Sequence, residues 1–180
     1  MRFIIITLFV VGFGQARSQN QLIGKPFPAM ETETVSDIKV KLPESVKGKF
    51  TLLGLAYSKK AEDELFTWFQ PIFEKFIDKP QGIMKDFGHD VNVFFVPMLT
   101  GVNAAATGIV KRKALKTVDP QLLPYMLFYK GQLKSYKESL NFDSREVPYF
   151  FVLDPKGIIV YVTSGLFTEE KLDAIESVLE

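Results

Sequence analysis

The chain has 180 residues, enough for one domain with a substantial core, and its 47% apolar and 24% charged residues exclude a disordered polypeptide. A formal charge of +1 gives no basic field for nucleic acid and no acidic tail. With no cysteine, disulfides, thiolate catalysis and peroxide reduction through a sulfenic acid are excluded, and a single histidine argues against a zinc site.

The first residues read as a leader. Arg2 precedes an apolar stretch from Phe3 to Phe13, then the small and polar run Gly14-Gln15-Ala16-Arg17-Ser18-Gln19. That order is a secretory signal peptide, with Ala16 and Ser18 as the small pair and the cut before Gln19. Residues 1–18 are therefore predicted to be the signal and 19–180 a single domain. The apolar run is too short for a permanent membrane anchor. No cysteine follows it, so the protein is expected to be exported, periplasmic or otherwise extracytoplasmic, and not a lipoprotein. Loss of Arg2 and Arg17 takes the mature charge from +1 to −1.

Next, Ile23-Gly24-Lys25-Pro26-Phe27-Pro28 is predicted to be an irregular, extended opening, because its prolines restrict the backbone. Thr34 to Leu42 suits a short hairpin. After the turn at Lys47-Gly48-Lys49, the run FTLLGLAY (Phe50 to Tyr57) suits a strand buried on both faces. The clearest helix follows. Leu65, Phe69, Ile72, Phe73 and Phe76 recur at helical spacing, with Ser58 as N-cap and Glu62, Asp63 and Glu64 complementing the dipole. Trp68, Phe69 and Phe73 read as core, and Pro71 should kink the helix.

Asp78 to Asp90 is predicted to be a loop carrying His89 at its surface, and VNVFFVP (Val91 to Pro97) a second buried strand. Val110 to Lys116 reads as a basic helix whose Lys111, Arg112 and Lys113 could touch phosphate or anionic lipid, but a charge run on a helix is ordinarily solvated, and that is the expectation. Tyr125 to Tyr129 and Gln132 to Tyr136 look like weaker strands about a Lys130-Gly131 turn. Tyr149 to Leu153 and Ile158 to Val162 form a hairpin around Asp154-Pro155-Lys156-Gly157. Thr168 caps a last helix, Glu169 to Leu179. The order strand–helix–strand, then hairpin–helix, predicts an α/β domain with a central mixed sheet flanked by helices.

Two blocks resemble known proteins. Lys47-Gly48-Lys49 followed by FTLLGLAYS is similar to the first core strand of exported thioredoxin-like and peroxiredoxin-like proteins, where redox cysteines then open a helix. Glu146-Val147-Pro148-Tyr149 followed by FFVLDPKGIIV resembles their second signature, a cis-proline leading into a strand, an Asp-x-x-Gly turn and another strand. The resemblance implies a three-layer thioredoxin-like fold with an irregular N-terminal extension and a cis bond before Pro148. Counted from Lys49, the redox pair would fall at Lys60 and Asp63; counted back from Pro71, its first member would fall at Asp63. Neither register holds a thiol. A second likeness is to mitochondrial assembly factors of the ATP synthase membrane sector. It rests on Trp68-Phe69-Gln70-Pro71-Ile72-Phe73, on VKRKAL at Val110 to Leu115, and on Thr163-Ser164-Gly165-Leu166-Phe167-Thr168-Glu169-Glu170. It implies a scaffold or chaperone role.

The expected function is binding without catalysis: a redox-inactive module that holds a protein or peptide at the degenerate redox region. The candidate residues are Tyr57, Ser58, Lys60, Asp63, Val147 and Pro148, with strand addition beside Pro148 as the mode. Lys60 and Asp63, one helical turn apart, can equally be a solvated first turn. No catalytic residue, metal or cofactor is expected, and no nucleic acid or integral membrane segment after signal removal. The alternative is an enzyme of non-thiol chemistry using the same pocket.

Overall fold

The unbroken apolar run at residues 50–57 has no polar face to turn to solvent, and it forms the middle of a sheet. The computed structural model describes residues 21–78 and 90–179. The strands are β1 (Met30–Thr34), β2 (Lys39–Leu42), β3 (Phe50–Ala56), β4 (Val91–Thr100), β5 (Leu127–Gly131), β6 (Tyr149–Leu153) and β7 (Ile159–Ser164). They form one sheet in the order β2-β1-β5-β4-β3-β6-β7. The β3–β4 and β4–β5 pairs are parallel and the others antiparallel, so the sheet is mixed, as expected. The leader segment, residues 1–18, and His89 lie outside the described residues.

Helices cover the sheet: α1 (Lys59–Phe66), α2 (Phe69–Ile72), which runs into a π-turn at Phe73–Ile77, α3 (Thr107–Thr117), α4 (Lys134–Ser139) and α5 (Glu169–Leu179). Strand alternation divides the core in two. Leu52, Phe95, Phe150 and Val152 face a layer that includes Leu65, Trp68, Ala114 and Ile175. Leu53, Leu55, Phe151 and Leu153 face Leu22 and Phe27 of the N-terminal segment and Tyr136 and Leu140. Gly54 lies where α1 crosses β3. A Cβ there would sit 2.7 Å from Phe150 and 3.0 Å from Leu65, so a larger residue would push the helix off the sheet.

Several expectations shift. The helix after Ser58 breaks at Thr67–Trp68 and not at Pro71 itself. Pro71 has no N–H for the Thr67 carbonyl and its ring crowds that carbonyl, so the disruption falls four residues upstream. The hairpin begins earlier than Thr34, with Met30 opposite Leu42. The Gln132 to Tyr136 segment is not a strand, since α4 begins at Lys134. Buried Tyr136 and Leu140 are four apart, a helical interval that outweighs the local strand propensity. Lys111 is not solvated either. It is 5% exposed, with Nζ 2.6 Å from both Glu33 and Asp37 and 5.7 Å from the centre of the Phe128 ring. Burial by itself would lower the Lys111 pKa, but hydrogen bonds to Asp37 and Glu33 outweigh it and hold the ammonium charged. The last helix keeps its expected bounds, with the Lys171 N–H 3.4 Å from the Thr168 hydroxyl.

Candidate functional site

The parallel strand β3 delivers the chain to the N-terminus of α1, and β6 starts next to it, so residues 57–60 meet residues 143–148. Ser58 is extended, and its side-chain oxygen accepts the Ala61 N–H at 3.1 Å, the expected N-cap. The Ser58 hydroxyl also donates to the Arg145 carbonyl. Tyr57 donates to the Ser144 carbonyl at 2.6 Å, and Lys60 pairs with Glu146 at 2.9 Å. Underneath, Tyr149 donates to Asp143 at 2.5 Å and accepts the Ser144 N–H at 2.7 Å. Phe142 packs against both tyrosines, with ring centroids 5.2 Å from Tyr57 and 4.6 Å from Tyr149, and the tyrosine rings lie 6.5 Å from each other.

These contacts set the electrostatics. Burial, then the Asp143 charge, pushes the Tyr57 phenol up. Burial and the hydrogen bond to Asp143 push Tyr149 up much further, so both stay neutral donors. The hydrogen bond to Glu146 raises Lys60, and the same bond lowers Glu146; both side chains are exposed, so solvent screens the pair. The polar groups of Tyr57, Ser58 and Lys60 are thus engaged by the chain's own 144–146 loop.

Five of the six candidate residues come together here: Tyr57, Ser58, Lys60, Val147 and Pro148. Pro148 is buried, and its carbonyl accepts the Gly165 N–H at 2.9 Å, extending the β6–β7 ladder. The cis bond expected before it is absent: among the described residues the cis peptide is Leu42–Pro43. A trans Val147–Pro148 bond is the ordinary form and leads straight into β6. Strand addition beside Pro148 meets a further obstacle, because β6 has β3 on one side and β7 on the other.

Asp63 is the exception. It pairs with Lys59, four residues before it, while Lys60 pairs with Glu146. It stands on the rim of a cleft of about 600 Å³ between α1 and α3. Phe69, Ala114, Met126 and Phe128 make the cleft apolar; Glu62 and Lys113 stand with Asp63 at its polar edge. Phe66 is 45% exposed and lines the same opening. Burial raises the Glu62 pKa, against the opposing effect of Lys59. Helical periodicity overlooked Phe66, because it falls one position off the buried stripe of Leu65, Phe69 and Ile72. The usable signal was that misfit itself, a large aromatic outside the core stripe.

No family model matches the chain, and no curated protein matches it. Solved structures do. The chain is similar to a DsbE-type thiol:disulfide interchange protein from Chlorobium tepidum, at 15% identity and a TM-score of 0.58 over 88% of this chain and 98% of that one. It is also similar to the exposed lipoprotein thioredoxin Etrx1 of Streptococcus pneumoniae, at 18% identity and a TM-score of 0.53 over 84% and 98%. A third is BsSco, of the Sco family of cytochrome c oxidase assembly proteins, at 14% identity and a TM-score of 0.52 over 87% and 91%. The fold is thioredoxin-like. Within that thioredoxin-like frame, the N-terminus of α1 carries Lys60 and Asp63 where the resemblance placed a thiol pair, and the chain has no cysteine. Among the described residues no helix is long and apolar enough to cross a membrane, and no group of three His, Cys, Asp or Glu side chains is placed to hold a metal.

Proposed function

We propose that this is a redox-inactive, extracytoplasmic thioredoxin-like protein that acts by binding a partner polypeptide, with residues 19–180 as one domain behind a cleaved leader. One observation carries the reading: beside the degenerate redox region lies an open apolar cleft with a half-exposed aromatic, Phe66, at its mouth. An apolar cleft with a few convergent polar groups is the ordinary form of a binding site. Of the six candidates, Asp63 contacts the partner at the cleft rim. Tyr57, Ser58, Lys60, Val147 and Pro148 hold α1 in place through the 144–146 loop.

An apolar segment of the partner fits the cleft, with its polar ends meeting Glu62, Asp63 and Lys113. Assembly of a membrane complex is the role that accords with both the likeness of Trp68 to Phe73 to ATP synthase assembly factors and the structural likeness to BsSco. An enzymatic reading draws support from Glu62 alone, whose raised pKa is the kind of perturbation acid–base sites use. Of the groups that can act as nucleophiles, Thr117, Lys59 and Lys113 line the cleft; the Thr117 hydroxyl donates to the Lys113 carbonyl and Lys59 pairs with Asp63.

The test is affinity capture from native envelope with three baits: the parent, Asp63→Arg with Phe66→Glu, and Lys60→Ala with Pro148→Ala. Capture of one protein by the parent and the Lys60/Pro148 variant, and its loss with the Asp63/Phe66 variant, supports the cleft. Loss only with the Lys60/Pro148 variant returns the binding site to the degenerate redox region.

A further inference from the structure

The helices that cover one face of the sheet are not held to it alike. α1 buries Ala61 and Leu65, and α5 buries Leu172, Ile175 and Leu179. The buried residues of α3 are Thr107, Lys111 and Ala114. Val110 in the helix and Val118 just after it are half-buried, and no side chain caps the helix N-terminus. The apolar side chain that α3 buries fully is therefore a single methyl group, that of Ala114. Apolar stabilisation grows with the area removed from water, so it holds α3 far less firmly than α5. The same thin contact leaves room for the cleft, where Ala114 lines the α3 wall opposite Phe66 and Phe69 and Phe128 contributes to the lining.

Lys111 stands one turn before Ala114 on the same helical face and does not itself line the cleft. Its Nζ lies 2.6 Å from both Glu33 and Asp37 and 5.7 Å from the centre of the Phe128 ring. Glu33 belongs to β1 and Asp37 to the turn before β2, so this contact ties α3 to a hairpin beyond β5 in the sheet. An apolar side chain at position 111 could bury as much surface, but dispersion contacts are not directional. An ammonium held by two carboxylates fixes both the place and the rotation of its helix.

We propose that Lys111 is the positioning residue of the cleft: its ion pairs with Glu33 and Asp37 fix where α3 stands and so set the opening between α1 and α3. The proposal rests on the reading of the cleft as the binding surface and adds what holds that surface in shape. Lys111 touches no ligand; it acts through the wall that carries Ala114. A wall fixed in advance binds without first being ordered. Loss of the ion pairs therefore weakens binding by lowering the fraction of molecules whose wall is in place.

The test uses the full chain, in which introduced cysteines are the only ones. Spin labels at Lys116→Cys on α3 and Ser177→Cys on α5, both exposed and outside the cleft, report where α3 stands by double electron–electron resonance. The neutral fluorophore N-phenyl-1-naphthylamine is the cleft probe. Lys111→Met removes the ammonium and keeps an unbranched side chain. Asp37 is exposed and Glu33 half-buried, so water solvates the carboxylates left behind and the chain stays folded.

The expected result is a broadened distance distribution between the labels and probe binding weakened about fivefold, with unchanged circular dichroism. Lys111→Arg, whose guanidinium also pairs with two carboxylates, should return both readouts to near the parent's. A folded Lys111→Met with the parent's distance distribution and probe affinity overturns the proposal, and so does weaker probe binding at an unchanged distribution. If Lys111→Met does not fold, Glu33→Gln with Asp37→Asn removes the same ion pairs from the hairpin side and is read in the same way. The cleft reading fails separately: a parent that binds no probe, or binds it equally after Phe66→Glu, has no binding surface there, and the label distances alone then decide on Lys111.

Discussion

The two sides of α1 have opposite character. On one side, Ser58 and Lys60 are tied to Arg145 and Glu146, beside the cluster of Tyr57, Phe142 and Tyr149 rings. On the other, Asp63 and Phe66 border an apolar cleft, and the one bond Asp63 makes there is to Lys59 on its own helix. The side that the thioredoxin-like fold made the natural candidate has its polar groups engaged by the chain's own loop. The side one turn further along has apolar surface left over. A polar residue at the position where the resemblance placed a thiol is thus as readily a structural fastening as a recognition group, and only its partners separate the two.

The largest expected effect comes from breaking the fastened side. Tyr149 is fully buried, and Tyr149→Ala removes an aromatic side chain and leaves Asp143 and the Ser144 N–H without their partner. It should cost about 3–5 kcal/mol of unfolding free energy in denaturant melts. Phe66→Ala on the open side removes a half-exposed ring packed 4.8 Å from Phe69 and should cost only about 1 kcal/mol. Similar losses for the two would erase the contrast.

A smaller effect sharpens it. Burial raises the Glu62 pKa in the folded protein, so the native state binds its proton more tightly than the unfolded chain does. Stability then falls as pH rises from the unfolded value, about 4.3, through the folded one. Glu62→Gln should therefore melt slightly higher than the parent at pH 7 and converge with it below about pH 4. A Glu62→Gln midpoint below the parent's at pH 7 would mean that the cleft rim stabilises the carboxylate through a partner.

Much of this fold was legible before any coordinates. The runs at residues 50–57, 91–97 and 149–153 announced buried strands because no polar alternation interrupts them. The last helix was delimited by Thr168 and by the spacing of Leu172, Ile175 and Leu179. What escaped was written across distance. Lys111 reads as one of three adjacent cations, and nothing in its neighbourhood reveals Glu33 and Asp37, 78 and 74 residues earlier, which bury it. The cleft joins Phe66 of α1, Val110 of α3 and Met126 from the chain entering β5, so no local pattern encodes it. Around the N-terminus of α1, five of the six candidate residues come together, and their contacts depend on the 143–147 loop, which has no periodicity to read. Asp63 parted from Lys60 because each has another partner: Asp63 pairs with Lys59 on its own helix, and Lys60 with Glu146 across the site.

The most direct test of this division places a photoreactive amino acid in turn at Phe66 and at Lys60 and irradiates the full chain in native envelope. The account predicts one discrete crosslinked partner from position 66 and none from position 60. The same partner captured from position 60, with position 66 silent, would contradict it and make the fastened side the binding surface.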